Sequence, residues 1–256
     1  MKTQVLMAGA LEPLLHLSSS INMSLALLAL HCISVIVESL DTHDMIVDNS
    51  ERHTLTRIVA LISSREEQVQ ELALKTLAHL SSGCDFHRHR IIQEDIFNGN
   101  CLTRLLASRP RNKQILCNAA CLVANLASTQ LMQGTFGDLQ MALCRLVEDF
   151  PLSEDVLVHC ARGIANFCQF PQNANQLLPY LPFLVRMLFA STCAAIRQHA
   201  LRMCILLLRH CPETVNILAG PGATTMLSGL ASIPGRTGCH GDRGREGRAE
   251  NCPTVS

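Results

Sequence analysis

The sequence predicts an all-α solenoid, a stack of helical repeats, and two observations support this fold class. One helical segment recurs along the chain at intervals of roughly 40 to 46 residues, the period of repeats built from two or three helices. The composition agrees, because 48% of the 256 residues are apolar and only 16% are charged, with no Trp and one Tyr. Leu, Ile, Val, Ala and Cys side chains must therefore form the core.

The recurring segment is clearest at residues 115–126. Four counterparts with the same pattern occupy residues 25–36, 69–80, 156–167 and 196–207. In each copy, large, small, large and large apolar residues stand at positions i, i+4, i+8 and i+11, which form one face of a helix. The small residue is Cys160 in one copy and Ala in the others. This column predicts a place where neighbouring helices approach closely.

Shorter amphipathic segments between the long helices complete each predicted repeat. They cover residues 10–17, 41–47, 55–62, 101–107, 139–147, 182–189 and 223–232, and one more begins at residues 90–93. Ser63 with Glu66 matches a capping box for the second long helix, and Ser153 matches a cap for the fourth. Residues 1–233 form the predicted solenoid, with about five repeats. Residues 234–256 lack apolar periodicity and form a predicted disordered tail rich in Gly and Arg.

Charge, targeting signals and cysteine use indicate the compartment. The 21 Lys and Arg residues balance 21 Asp and Glu residues, so the whole-protein charge does not favour nucleic acid or an acidic membrane as a partner. The N-terminus lacks the features of a secretory signal, and the longest apolar run, residues 25–37, is too short to span a bilayer. Thirteen Cys residues in a long helical chain indicate buried reduced thiols. We therefore expect a soluble cytoplasmic protein, with nuclear or cytoskeletal association left open.

Catalytic and metal-binding motifs are absent from the sequence. It has no phosphate-binding Gly-rich loop, zinc-hydrolase motif or nucleophile elbow, so we expect neither an enzyme nor a cofactor. Residues 84–89 (Cys-Asp-Phe-His-Arg-His) contain metal-ligand types, but no second cluster completes a four-ligand zinc site. We expect them to form an exposed polar connection. His159 and Cys160 are adjacent in a predicted helix and point about 100° apart, which disfavours a nucleophile and base pair.

The pattern of short and long helices resembles armadillo repeats over roughly residues 8–233. The family phrases G-x-x-x-x-L-V-x-L-L and A-x-x-x-L-x-N-L-A are similar to residues 100–106 and 119–127. Residues 161–167, together with 198–200, are also similar to the armadillo region of plant-type kinesins. The armadillo resemblance implies a right-handed superhelix whose long third helices line a concave groove that binds extended peptides.

The nuclear-import adaptors of this family carry a ladder of Trp and Asn, four residues apart, on those long helices. Here only Asn125 and Asn166 occupy the Asn column, and no Trp occupies the other. The resemblance therefore does not imply a basic import cargo. The candidate groove residues share these two columns and are Lys75, His79, Asn125, Arg162, Asn166 and Arg202.

These residue types predict a groove for a neutral or acidic extended segment. Asn offers a donor and an acceptor to an extended backbone, and Arg can bind a carboxylate through two parallel hydrogen bonds. The alternative is that the cationic side chains of Lys75, Arg162 and Arg202 only lie on ordinary solvated faces of their helices. We therefore predict a non-catalytic scaffold or adaptor that binds a protein partner, with neither nucleic acid nor membrane as a partner.

Two other functions stay open. The chain could be a structural subunit bound through uncapped solenoid ends, since residues 201–208, Leu227 and Leu230 are expected to be poorly covered. Self-association through such apolar ends is also expected. Alternatively, the kinesin-like segment suggests a cytoskeleton- or motor-associated adaptor.

Overall fold

A computed structural model describes residues 1–48, 53–129, 137–149 and 152–219, and the regular elements in these ranges are helical. The first eight α-helices are α1 (Lys2–Met7), α2 (Leu11–Leu17), α3 (Met23–Ile36), α4 (His43–Val47), α5 (Thr54–Ala60), α6 (Glu67–Ser81), α7 (Asp85–Phe97) and α8 (Cys101–Ser108). The others are α9 (Lys113–Leu126), α10 (Gly137–Asp149), α11 (Glu154–Phe167), α12 (Pro171–Leu177), α13 (Leu181–Phe189), α14 (Ala194–His210) and α15 (Thr214–Leu218). Short 3-10 turns occupy Leu40–Thr42, Leu61–Ser63 and Leu178–Tyr180.

The long helices α3, α6, α9, α11 and α14 contain the five recurring segments, and each packs against the next in that order. Asn22 and Asn112 start α3 and α9, because each side-chain oxygen accepts two backbone N–H groups of the first turn. The predicted all-α solenoid is therefore confirmed. The shorter helices α2, α5, α8, α10 and α13 each precede a long helix, as predicted.

The small-residue column lies where the long helices come together. Its members are at most 2% exposed: Ala29, Ala73, Ala119, Cys160 and Ala200. Gly163 on α11 shows how close the helices are, since a Cβ atom there would lie 2.9 Å from Leu143 Cδ2 and 3.4 Å from the Cα atom of Ala124 on α9. The long helices therefore approach closely at Gly163 and Ala124, where small side chains make it sterically feasible. The predicted column itself is buried.

The predicted capping box is wrong, whereas the predicted cap at Ser153 is correct in position. Ser63 belongs to the 3-10 turn after α5, and its hydroxyl donates to Cys101 Sγ of the next repeat at 3.2 Å. Glu66 occupies the N-cap position of α6. Ser153 does occupy the N-cap position of α11, but its side chain makes no capping hydrogen bond. Contacts between repeats and local side-chain rotation decide these bonds, and neither follows from the cap motif.

The prediction of a polar connection at residues 84–89 is wrong, because α7 begins at Asp85. Residues 90–93 are helical as predicted, but they lie inside α7 and not at its start. His87 is 5% exposed, and its Nε2 atom lies 2.7 Å from Asp44 Oδ1 on α4. The buried face of α7 includes His87 and Asp95, and these polar residues interrupt the apolar periodicity that predicts helices. Helices α1, α12 and α15 were not predicted. The predicted helix 223–232, the boundary at residue 233 and the tail lie outside the described residues.

One apolar core connects the described ranges from Leu6 to Leu218. Within those ranges, no single helix combines the length and hydrophobicity needed to cross a membrane. The segments Met23–Ile36 and Leu40–Val47 reach that threshold only when taken together, and they are bent by 113° relative to each other.

Candidate functional site

The six candidate groove residues lie on four consecutive long helices. Lys75 and His79 are on α6, Asn125 is on α9, and Arg202 is on α14. The remaining two, at positions 162 and 166, are on α11. Five of the six are partly exposed, whereas Asn166 is buried. We call the surface formed by these two columns the groove face.

Asn125 joins α9 to the preceding long helix. Its Nδ2 atom donates to the carbonyl of Ala78 at 3.1 Å and to Ser81 Oγ at 2.9 Å, both on α6. Both amide hydrogens are thereby used. The side-chain oxygen of Asn125 accepts no hydrogen bond from the described residues, so it remains available as an acceptor on the groove face.

Asn166 is more completely engaged and connects three long helices. Its Nδ2 atom donates to the carbonyl of Ala124 on α9 at 2.7 Å. Its Oδ1 atom accepts from Arg202 Nη1 on α14 at 2.9 Å and from Gln169 Nε2 at 3.1 Å. The structure therefore gives Asn166 a bridging position, in which its oxygen already has two donors.

Like Asn166, Arg162 on α11 donates a hydrogen bond to the preceding long helix, α9. Its Nη2 atom donates to the carbonyl of Cys121 at 3.3 Å, and its Nε atom is buried without a hydrogen-bond partner. Arg162 and Arg202 form no salt bridge with any of the described residues. Their positive charges are therefore not neutralised by a neighbouring carboxylate in this part of the protein.

The cations closer to the N-terminus do have acidic partners. Lys75 Nζ lies 3.9 Å from Glu38 Oε1, and Lys2 Nζ lies 3.1 Å from the other oxygen of the same carboxylate. At the start of α9, outside the two groove columns, Lys113 Nζ lies 2.6 Å from Asp155 Oδ2 on α11. Among the described residues, the groove face therefore has a paired lysine on α6 and guanidinium groups without an acidic partner on α11 and α14.

Two histidines that the sequence analysis did not select accompany the arginines. His159 and His199 precede Arg162 and Arg202 by three residues, one helical turn away on the same side. Burial, followed by the charge of Arg162, lowers the pKa of His159. Burial, followed by the charges of Arg202 and Arg162, lowers the pKa of His199. We call these four residues the arginine patch.

The signal for these histidines was present in the sequence but weak. They stand 40 residues apart at the same position in consecutive repeats. The aligned residue on α9 is Asn118, whose Nδ2 atom donates to the carbonyl of Glu71 at 3.3 Å. The groove face thus has a third column, which the comparison with the Trp and Asn ladder did not include.

Three cysteines near the groove face, Cys117, Cys160 and Cys204, have thiols that burial makes less acidic. All eleven cysteines among the described residues have free thiols. Burial raises the pKa of Cys160 and Cys117, and it raises the pKa of Cys204 to about 12, so these thiols are protonated at neutral pH. Within the described ranges, no group of three or more His, Cys, Asp or Glu residues is arranged to hold a metal ion.

Comparison with solved structures identifies the kind of solenoid. An engineered protein solved by the Northeast Structural Genomics Consortium superposes with a TM-score of 0.75 at 21% identity, covering 88% of this chain and 90% of that one. A designed armadillo repeat protein in complex with the peptide (KR)4 gives 0.75 at 21% identity, covering 88% and 93%. Computationally designed armadillo repeat proteins for modular peptide recognition give 0.74 at 22% identity, covering 87% and 92%.

The chain is thus an α-solenoid, and its repeats have the armadillo fold. At these identities the likeness establishes the fold alone. No protein-family model and no curated protein matches the sequence. The further resemblance to the armadillo region of plant-type kinesins receives no support from these comparisons.

Proposed function

We propose that this protein is a non-catalytic interaction scaffold that holds an extended peptide segment of its partner along the groove face. The segment is acidic where it crosses α11 and α14 and neutral elsewhere. The observation that carries this proposal is the contrast in charge pairing, because Arg162 and Arg202 have no acidic partner among the described residues, whereas Lys75 is paired with Glu38. A carboxylate-bearing partner would supply the missing counter-charges.

The spacing of the arginines specifies the acidic segment further. Neighbouring packed helices lie about 8–10 Å apart, and an extended chain advances about 3.3 Å per residue. A peptide crossing α11 and α14 would therefore present carboxylates to Arg162 and Arg202 from residues about two or three positions apart. Spacing by two also directs both side chains to the same face of the peptide, so Glu-x-Glu and Asp-x-Asp are the expected core sequences.

The free acceptor of Asn125 supports the neutral part of the segment. Its Oδ1 atom can accept a backbone N–H from an extended chain, which needs no particular side chain at that point. One designed structural neighbour was solved with the basic peptide (KR)4. The unpaired guanidinium groups here favour the opposite charge, so a basic peptide would meet like charges at the arginine patch.

Fluorescence anisotropy with labelled ten-residue peptides tests this function. A peptide with a central Glu-x-Glu should bind, whereas its Gln-x-Gln version and (KR)4 should bind at least about tenfold more weakly, the effect of about 1.4 kcal/mol. Arg202→Lys keeps the charge but removes the bidentate geometry and should weaken binding. Arg145→Glu, at an exposed site on α10, is the matched control and should bind normally.

Three results would contradict the proposal. They are equal binding of the Glu and Gln peptides, tighter binding of (KR)4, and unchanged affinity in Arg162→Glu/Arg202→Glu. Circular dichroism must show unchanged helicity in the double variant, because Arg162 and Arg202 also bond to neighbouring helices.

A structural subunit held through its end faces is the second candidate. The observation that favours it is the exposure of Leu201 and Ile205 on α14, which are 49% and 51% exposed. Apolar side chains exposed on one continuous helix face are typical of protein contact sites.

A further inference from the structure

Each long helix has two sides, one facing the preceding repeat and one facing the next. Hydrogen bonds identify the side that faces the preceding repeat, and we call this side the leading face. Asn118, Asn125 and Asn166 all donate to backbone carbonyls of the preceding long helix. The opposite side, the trailing face, includes Ala124, whose Cα atom lies against the position of Gly163 in the next long helix.

The leading face of α3 differs from those of the later repeats. At the positions of Asn118 and Asn125, α3 carries Leu28 and Val35, which are 62% and 36% exposed. Leu25, in the first apolar column, is 39% exposed, whereas its counterparts are at most 5% exposed: Val69, Ile115, Val156 and Ile196. Helices α1 and α2 therefore leave an apolar part of this face in contact with solvent.

An open surface depression, which we call the cavity, lies beside this exposed face. It measures about 590 Å³ and is lined by residues of α1, α2 and α3 that include Val5, Leu14 and Val35. His31 contributes the one imidazole among the lining residues, and the others are apolar or Cys32. The cavity is large enough to take several aliphatic side chains from a partner.

The trailing face of α14 is unusual in a complementary way. On α9 and α11 the trailing positions hold small residues with no exposure: Ala120, Ala124, Ala127, Ala161, Ala165 and Cys168. The aligned residues of α14 are Leu201, Ile205 and Leu208, which are 49%, 51% and 43% exposed. Val215 on α15, 54% exposed, adds a fourth apolar side chain near the same end of the described solenoid.

The sizes of these side chains determine what can cover them. Small residues let the next long helix approach closely, as Gly163 and Ala124 show. Leu201, Ile205 and Leu208 protrude and would keep a helix at that distance away. A surface that covers them must be apolar and must contain a hollow, and the leading face of α3 has both properties.

We propose that a second copy of this chain packs its α14–α15 face against the α1–α3 face of the first. The apolar side chains of α14 enter the cavity beside α3, and Leu25 and Leu28 are covered by the incoming copy. The contact joins two different surfaces. In a pair of copies, the α14–α15 face of one copy and the α1–α3 face of the other therefore remain unused. Association therefore continues beyond a dimer as the protein concentration rises. This inference does not depend on peptide binding in the groove.

Sedimentation velocity of the full chain over a concentration series tests the arrangement. The leading-face variant is Leu25→Glu/Leu28→Glu, and the trailing-face variant is Leu201→Glu/Ile205→Glu. Wild type should sediment as a series of species larger than a dimer, and each variant alone should be a monomer. An equimolar mixture of the two variants should form a dimer and stop there, because each contributes one intact face and one charged face. Formation of that dimer would also show that both variants are folded.

Phe97→Glu is the matched control, because Phe97 is 80% exposed on α7 and belongs to neither end face. It should associate like wild type. A monomeric wild type at high concentration would overturn the proposal and leave residues 220–256 or another protein to cover these faces. A mixture that stays monomeric although wild type associates would also overturn it, since the contact would then join identical faces. Loss of association in Phe97→Glu would place the contact elsewhere.

Discussion

Helices α11 and α14 are adjacent and share the same column pattern, yet their environments differ. Long helices cover both sides of α11, and its trailing residues are small and buried. α14 packs on α11 through one side and exposes Leu201, Ile205 and Leu208 on the other. The comparison shows that equivalent positions in different repeats share the same backbone conformation. The helices packed around each position determine whether its side chain is buried and so how much it contributes to stability.

The largest expected effect is on the face that both helices bury. Phe167 on α11 and the aligned Leu207 on α14 are both fully buried. Phe167→Ala should reduce the free energy of unfolding by about 3–5 kcal/mol, and Leu207→Ala by about 2–5 kcal/mol, through lost transfer energy and cavity formation. Urea denaturation measures both values. A loss below 1 kcal/mol, the range of many surface substitutions, in either variant would contradict the shared core.

Exchanging Ala and Leu at one aligned position of α11 and α14 tests how differently the two trailing faces are covered. Ala161 on α11 is fully buried, whereas Leu201 on α14 is 49% exposed. Ala161→Leu should destabilise by about 1–3 kcal/mol, because it overpacks the contact with α14. Leu201→Ala should change stability by at most about 0.5 kcal/mol in dilute monomer. Similar losses from both substitutions would show that the trailing face of α14 is covered in solution.

The smallest effect concerns pH and the two histidines of the arginine patch. Since folding lowers the pKa of His159 and His199, the unfolded chain binds these protons more strongly. The free energy of unfolding should therefore be highest above the ordinary His pKa of 6.5 and should fall as the pH decreases below it. Urea denaturation across this range should show a smaller loss for His159→Gln/His199→Gln than for wild type.

Other titratable groups also contribute to the pH dependence of the free energy of unfolding. His43 and His79 also have lowered pKa values, caused first by burial, so part of the acid sensitivity should remain in the double variant. Asp95 acts in the opposite direction, because burial raises its pKa from 3.8 to about 6 and the folded state holds its proton more strongly. Parallel pH curves for wild type and double variant would show that the patch histidines do not titrate differently on folding.

Several parts of the fold could be predicted because they depend on local sequence. The spacing of Ile115, Ala119 and Val123 is a helical period that needs no information from elsewhere in the chain. The same reasoning failed at His87, a buried polar residue whose partner Asp44 is 43 residues away. Ser63 failed for a similar reason, because its hydroxyl bonds to Cys101 in the next repeat.

The candidate site divides in the same way. Repeat alignment selected Lys75, Arg162 and Arg202 as residues at equivalent positions, and they do lie on the long helices α6, α11 and α14. Alignment did not distinguish Lys75, which is paired with Glu38, from the two arginines, which have no acidic partner among the described residues. It also did not reveal that Asn166 is a buried bridge, whereas the side-chain oxygen of Asn125 accepts no hydrogen bond from the described residues.

The sequence by itself determined that the chain forms long helices, how often they recur and which of their faces is apolar. The tertiary structure decided which equivalent residues are covered, as Leu25 and Ile115 illustrate with 39% and 0% exposure. The physical reason is that helical periodicity arises from bonds between residues four apart, whereas burial and charge pairing depend on groups about one repeat away. Only the assembled solenoid brings those groups together.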